Sequence, residues 1–511
     1  MTGRLEQHLK HHFGYDHFRT GQKEIIEAVL SEQNVVAVLP TGSGKSICYQ
    51  LPALLLKGTV IVVSPLLSLM TDQVKELKAH GFKQVAAINS MITESEKQYI
   101  FNRLSEYKLL YVSPEMLQNN FLLKRLYSLT IPLMVIDEAH CISQWGGFEF
   151  RPDYLRLGEV HHKLNKPTIL ALTATATKEV QEDIIQSLQM NNCIRLIYPM
   201  DKPNIAFKVK QFTERERKKE YIISKLREFP VPTMIYFSSR KEAEKIAIHL
   251  QSELADLRIA FYHGGLETND RLLIQQQFMQ NQLDVICCTS AFGMGGINKQ
   301  DVRLVIHYHI PSQIESFIQE VGRAGRDGEE SISILLYHDM DKFIPKRLTQ
   351  SELPDVTTVR MVLEEIKQNP QLDLQEIKDF ILSLTQNNET HWRFLHYQVE
   401  KLGVLDVDGK VNHSFNIDQS MYKIEKTIQN RLDQKNLKLQ EMVDWINTKK
   451  CRRATLFQHF QKGYNNPKGI CCDKCDFDWT KWKPAKRKVN LQLNSWKDKL
   501  AYAFMQENIE S

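Results

Sequence analysis

Pro40-Thr41-Gly42-Ser43-Gly44-Lys45-Ser46 directly follows an apolar run at 35–39. A glycine-rich turn between a strand and a helix lets successive backbone N–H groups wrap phosphate oxygens. Thr41, Gly42, Ser43 and Gly44 would form that cradle, Lys45 would reach the β- and γ-phosphates, and Ser46 would hold Mg²⁺. Position 39 is Leu where the general pattern has Gly, but the Thr-Gly-Ser-Gly-Lys-Ser core is complete. A second apolar run, 133–136, ends in Asp137-Glu138-Ala139-His140. An acidic pair at a strand end supplies the other half of ATP hydrolysis: Asp137 to hold Mg²⁺ through water, Glu138 to polarise the attacking water. Gln319-Glu320-Val321-Gly322-Arg323-Ala324-Gly325-Arg326 then offers two arginines three apart among glycines. Positive charge of this kind stabilises a transferring phosphoryl group.

Those residues need a scaffold of parallel strands. Apolar runs at 35–39, 59–63, 109–112, 133–136 and 168–172 read as buried strands, with helices at 66–79 and 178–188 between them. The pattern restarts with strands at 233–237, 259–262, 285–288, 304–307 and 331–336 and helices at 241–251 and 270–279. Strand–helix alternation predicts α/β folding, here two tandem units with parallel sheets covered on both faces. The join is expected near 210–220. With the arginines on the second unit, ATP would bind between the two, and closing the cleft around ATP is a motor's logic.

After His338 the character changes. Helices are expected at 356–368, 374–384 and 390–402, followed by an alternating stretch at 403–417 with Asp408-Gly409 as a hairpin turn. That order suggests a winged helix, with a small helical spacer as the alternative. Residues 421–460 read as mostly helical. The expected domains are therefore 1–208, 209–345, 346–420, 421–482 and a basic tail at 483–511.

The net charge of +5 permits nucleic-acid binding without arguing for it. No apolar run approaches the roughly 18 residues of a membrane span, and Met1 to Lys10 is too polar for a signal peptide. A cytoplasmic protein with reduced thiols is expected. Cys48, Cys141, Cys193, Cys287 and Cys288 read as core residues, whereas Cys451, Cys471, Cys472 and Cys475 cluster.

At this point the chain resembles superfamily 2 helicases through Asp137–His140, Thr173-Ala174-Thr175 and the 319–326 segment. More specifically it resembles the RecQ family. Phe13-Gly14-Tyr15, Phe18-Arg19 and Gln22 look like that family's adenine-recognition motif, and Cys141-Ile142-Ser143-Gln144-Trp145-Gly146 through Tyr154 look like its aromatic-rich loop. The resemblance implies a 3′→5′ DNA helicase acting in recombination, repair or replication on single-stranded DNA and 3′-tailed duplexes. It implies that Gln22 pairs with the adenine edge, Tyr15 stacks on the base with Arg19 assisting, and Asn298 approaches the ribose. His140, Thr173 and Thr175 would couple turnover to DNA, while Trp145, Phe148, Phe150 and Arg151 sense the single strand. Arg326 would be the arginine finger, with Arg323 also on phosphate. A single-stranded-DNA-binding protein is a candidate partner, the molecule is expected to be a monomer, and bacterial-type nucleoid association is expected. An ATPase or translocase on DNA or RNA without strong strand separation is the alternative.

The cysteine module matches the family's zinc helix at Cys451-Arg452-Arg453, with Phe457 and Phe460. Four cysteines suffice for a tetrahedral structural Zn²⁺. The adjacency of Cys471 and Cys472 departs from the family spacing, so one of them could sit out, with water or His459 in its place. Gly147 and Gly296 are extra residues relative to the family's loops, and the loop at 145–152 lacks the usual His. Added glycine in coupling loops is expected to impair coupling. Lys202 stands where the family has Arg before Pro203-Asn204. About 36 residues follow Cys475, too few for the family's C-terminal helical domain, so the resemblance is to a short form.

Overall fold

Residues 2–143, 152–292, 299–406, 409–412, 414–461 and 463–484 are described by the computed structural model. Within them, thirteen strands form two parallel sheets. The first sheet contains β1 (Val35–Val38), β2 (Val60–Val63), β3 (Val85–Ile88), β4 (Leu109–Val112), β5 (Leu133–Ile136), β6 (Thr168–Thr173) and β7 (Ile194–Ile197). Their order is β3-β4-β2-β5-β6-β1-β7. Strands β1, β2, β4 and β5 are buried along their whole length, which explains their unbroken Val, Ile and Leu content. Only β6 separates β1 from β5. The phosphate loop and the acidic pair therefore leave the same sheet edge about 10 Å apart, two strand spacings.

The second sheet contains β8 (Ile205–Gln211), β9 (Thr233–Tyr236), β10 (Ile259–Tyr262), β11 (Val285–Cys288), β12 (Leu304–His307) and β13 (Ser331–Tyr337), in the order β10-β11-β9-β12-β13-β8. Strand β8 pairs with β13 from Ile205↔Ser331 to Gln211↔Tyr337. This corrects the expected join at 210–220 and the boundary at 208/209. The crossing between units lies at 198–204, because β8 already belongs to the second sheet. Its alternating Lys208 and Lys210 hide it from a search for apolar runs.

Helices Val356–Gln368, Leu374–Leu384 and Glu389–Lys401 follow, each begun by a side-chain cap from Asp355, Asp373 or Asn388. An antiparallel bridge, Leu405↔Val411, closes a hairpin after them. The group has its own apolar core around Val359, Ile377 and Phe394. Asp408 of the predicted turn lies outside the described residues; Gly409 has φ +80°, a left-handed conformation that suits glycine.

One continuous helix, Ile417–Asn447, crosses the expected 420/421 boundary. Its Met421 and Ile424 pack in the three-helix core, while Met442 and Trp445 join the motor core. The cysteine segment then lies along the second sheet. Phe207 N–H donates to Cys471 O (3.1 Å) and Asp473 N–H to Phe207 O (3.0 Å).

No helix among the described residues is long and apolar enough to cross a membrane. Cys48, Cys287 and Cys288 are buried as expected, but Cys141 and Cys193 are only half-buried.

Candidate active site

The phosphate loop bends through left-handed glycines, Gly42 at φ +85° and Gly44 at φ +75°, before helix Ile47–Leu55 begins. Gly44 has no room for a side chain, since a Cβ there would meet Gln22 Nε2 at 2.8 Å. Gln22 ties the N-terminal segment to the loop: its Nε2 donates to Ser43 O and Gly44 O, both at 2.9 Å, and its Oε1 accepts from Arg19 N–H at 2.9 Å. Arg19 Nη1 donates to Gly42 O at 2.7 Å. Tyr15 stands 54% exposed at the mouth of the same cleft.

Across the sheet edge, Glu138 takes a left-handed conformation (φ 47°), which turns its carboxylate toward Lys45 Nζ at 3.7 Å and His140 Nδ1 at 3.3 Å. Burial alone would raise the Glu138 carboxyl, but Lys45, His140 and Arg323 hold it down at about 2. Asp137 goes the other way: burial and the adjoining Glu138 push it up to about 6. Tyr154 fixes the turn by donating its hydroxyl to Asp137 O at 3.1 Å. His140 also reaches Thr173 Oγ1 at 3.0 Å, and Thr173 Oγ1 accepts from Thr175 N–H at 3.2 Å. The expected coupling residues Thr173 and Thr175 therefore sit one layer behind the cleft, joined to it by His140.

Helix Ile314–Val321 of the second unit carries the arginines to this edge. Arg326 packs over the phosphate loop: a Cβ at Gly42 would lie 3.3 Å from its Nε. Burial and Arg323 together push the Arg326 guanidinium down to about 10, a charge crowding that a polyphosphate would relieve. Thr41, Gly42, Gly44, Lys45, Ser46, Asp137, Glu138, His140, Arg323 and Arg326 all line one cleft of about 680 Å³. Ser43 contributes its backbone carbonyl rather than a cleft wall. Ser46 and Asp137 offer oxygen donors in this cleft, and the raised Asp137 carboxyl is the kind of destabilised acid a divalent cation relieves, so the residues fit Mg²⁺. Trp145, Phe148, Phe150, Arg151 and Asn298, with Gly147 and Gly296, lie outside the described residues.

Two residues lining the cleft escaped the sequence reading. Tyr236 ends β9 and stacks on His307, which ends β12, with centroids 5.3 Å apart; His307 Nε2 meets Glu320 at 2.9 Å. Their signal is position alone, the carboxyl ends of parallel strands, where such sheets place ligands. Lys202, noted in the sequence only as a departure, donates from Nζ to Gly322 O at 2.5 Å.

The four cysteines come together. Cys451–Cys471, Cys451–Cys472 and Cys472–Cys475 have Sγ separations of 3.7, 3.9 and 3.6 Å, and all four Sγ atoms lie within 4.8 Å of one another. Tetrahedral Zn–S bonds of about 2.3 Å require S···S near 3.8 Å, so the set fits zinc. This corrects the expectation that an adjacent cysteine could sit out: a turn closed by Cys475 N–H on Cys472 O (3.0 Å) folds the run back. His459 instead contacts Gln458 Nε2 at 2.8 Å.

A phosphate loop on one parallel sheet, completed by arginines from a second, defines the class: a two-unit, RecA-like helicase core. The comparisons agree. The DEAD/DEAH box helicase family matches residues 19–183, the helicase conserved C-terminal domain 217–328, and the RecQ zinc-binding domain 410–478. The probable ATP-dependent DNA helicase RecS of Bacillus subtilis is 40% identical over 509 residues, 99% of each chain. The ATP-dependent DNA helicase RecQ of the same organism is 42% identical over 355 residues, 68% of this chain and 59% of its own. Among solved structures, Mss116p bound to single-stranded RNA and AMP-PNP aligns with a TM-score of 0.57 at 18% identity, covering 89% of this chain and 94% of that one. The DUF1998 helicase MrfA bound to DNA gives 0.57 at 20% identity, over 67% and 52%. These two likenesses are of fold. The chain belongs to the RecQ family of helicases.

Proposed function

We propose that this RecQ-family ATP-dependent DNA helicase hydrolyses ATP between its two sheet units and moves 3′→5′ along single-stranded DNA, separating the duplex ahead in recombination, repair or replication. Gln22, Arg19 and Tyr15 receive the base, and the loop from Thr41 to Ser46 holds the phosphates. Bound Mg²⁺ would neutralise phosphate charge, held by Ser46 and Asp137. Glu138, kept ionised by Lys45 and His140, takes the proton of the attacking water. Arg326 and Arg323 stabilise charge on the transferring group. His140 passes the cleft's state to Thr173 and Thr175, and the 144–151 segment is assigned the DNA-sensing role.

The observation that carries this reading is Arg326 packed against Gly42. A site completed only when two units meet converts turnover into relative movement of those units. Both halves come from one chain, which supports a monomer as the working unit on DNA. A single-stranded-DNA-binding protein and nucleoid association belong to the same proposal. Strand separation of 3′-tailed and 5′-tailed DNA duplexes tests it. ATP-dependent opening of the 3′-tailed substrate alone is expected. Opening of the 5′-tailed one would overturn the polarity, and turnover without opening either would indicate a translocase.

A further inference from the structure

The crossing between the two units, residues 198–204, is gripped from both sides. On one side it holds the arginine turn. Lys202 Nζ donates to Gly322 O at 2.5 Å, directly before Arg323. Asn204 Nδ2 donates to Gly325 O at 2.8 Å and Glu329 O at 2.7 Å, bracketing Arg326. The grip is tight: a Cβ at Gly325 would lie 2.3 Å from Asn204 Nδ2.

On the other side the crossing is anchored in the cysteine module. The fully buried Arg453 pairs with the Asp201 carboxylate and donates to Lys202 O at 3.0 Å. Asn465 N–H donates to Asp201 Oδ2 at 2.9 Å, Lys468 N–H to Pro203 O at 2.8 Å, and Met200 N–H to Gln461 Oε1 at 2.9 Å. Buried ionic and hydrogen-bonded groups of this density fix one backbone course, because each is costly to leave unpaired.

We propose that residues 200–204 form a strap whose Lys202 and Asn204 position Arg323 and Arg326 for phosphoryl transfer, with the cysteine module as its fixed end. Lys202 and Asn204 are positioning residues; they act through the arginines. The consequence is a division of labour. The module holds the register of the arginine turn against the phosphate loop, where an error of an ångström can cost on the order of 100-fold in rate. Burial, with the charges of Arg326 and Arg323, pushes the Lys202 ammonium down to about 7. The inference rests on the composite ATP site.

The test compares Lys202→Met, Lys202→Arg and Gln461→Ala with Arg326→Ala in the full chain, reading kcat and KM for DNA-stimulated ATP hydrolysis, thermal midpoint and zinc content. Lys202→Met is expected to lower kcat roughly tenfold with KM within about twofold, at unchanged midpoint and zinc. Lys202→Arg restores most of it, and Gln461→Ala lowers kcat about threefold from the far side of the strap. If Arg326→Ala stops turnover while Lys202→Met and Gln461→Ala stay within twofold, the strap is overturned and the composite site stands. The strap is equally overturned if the losses track the midpoint, or if Arg fails to rescue. If Arg326→Ala is itself silent, the composite site falls first.

Discussion

Gly322 of the second unit sits against Thr41 of the phosphate loop so closely that a Cβ there would lie 2.0 Å from Thr41 Oγ1. Its backbone, at φ −59°, would suit any residue. The nearest obstacle to a side chain there is the other unit across the cleft, with Ile318 O of its own helix next at 3.1 Å.

Gly322→Ala should therefore leave each unit folded and hold the cleft apart. We expect kcat for DNA-stimulated hydrolysis to fall on the order of 10- to 100-fold with the thermal midpoint within about 2 °C. Steady-state kinetics alongside a melting curve checks this, and wild-type turnover would show that the contact is not part of the working geometry.

The cysteine module should hold one zinc per chain through all four thiolates. Cys472→Ser and Cys475→Ser are each expected to remove most of the bound metal and lower the apparent midpoint, since metal binding is folding free energy in such sites. Elemental analysis of the purified variants decides it. Full zinc content in Cys472→Ser would return the adjacent cysteine to a bystander's role.

His309 supplies a pH dependence. It is buried, its Nδ1 accepts from Ser238 N–H at 3.2 Å, and burial with nearby Lys218 pushes it down to about 4. The unfolded chain therefore binds the extra proton between about pH 6.5 and 4, so the contribution is intact above 6.5 and is lost as pH falls through that window. Across it the loss amounts to roughly 3 kcal/mol, at about 1.4 kcal/mol per unit. In denaturant melts at pH 7 and 4.5, the unfolding free energy of wild type should fall by roughly 2 to 3 kcal/mol more than that of His309→Gln; parallel losses would place the acid sensitivity elsewhere.

The strands matching to the residue are β4, β5, β11 and β12 in the sheet interiors, together with β10, an edge strand whose Ile259-Ala260-Phe261-Tyr262 carries no charge. The strands missed are β3 and β7, the two edges of the first sheet, and β8, an edge of the second. An edge strand is covered on fewer sides, so Ala86, Ala87, Arg195 and Lys208 dilute the apolar run that marks a buried one. The site divides similarly. The phosphate loop and Asp137–Glu138 were legible because their chemistry is contiguous in sequence. Tyr236 and His307 were not, because they reach the cleft from two strands that only the sheet order brings together.

In the proposed mechanism, hydrolysis needs an arginine delivered from the second unit. Its most direct test is single-turnover ATP hydrolysis by Arg326→Ala on saturating single-stranded DNA, with nucleotide affinity measured in parallel. The prediction is a loss of on the order of 10³-fold in the hydrolysis rate with nucleotide binding retained within several-fold. A hydrolysis rate equal to wild type would show that Arg326 takes no part in phosphoryl transfer.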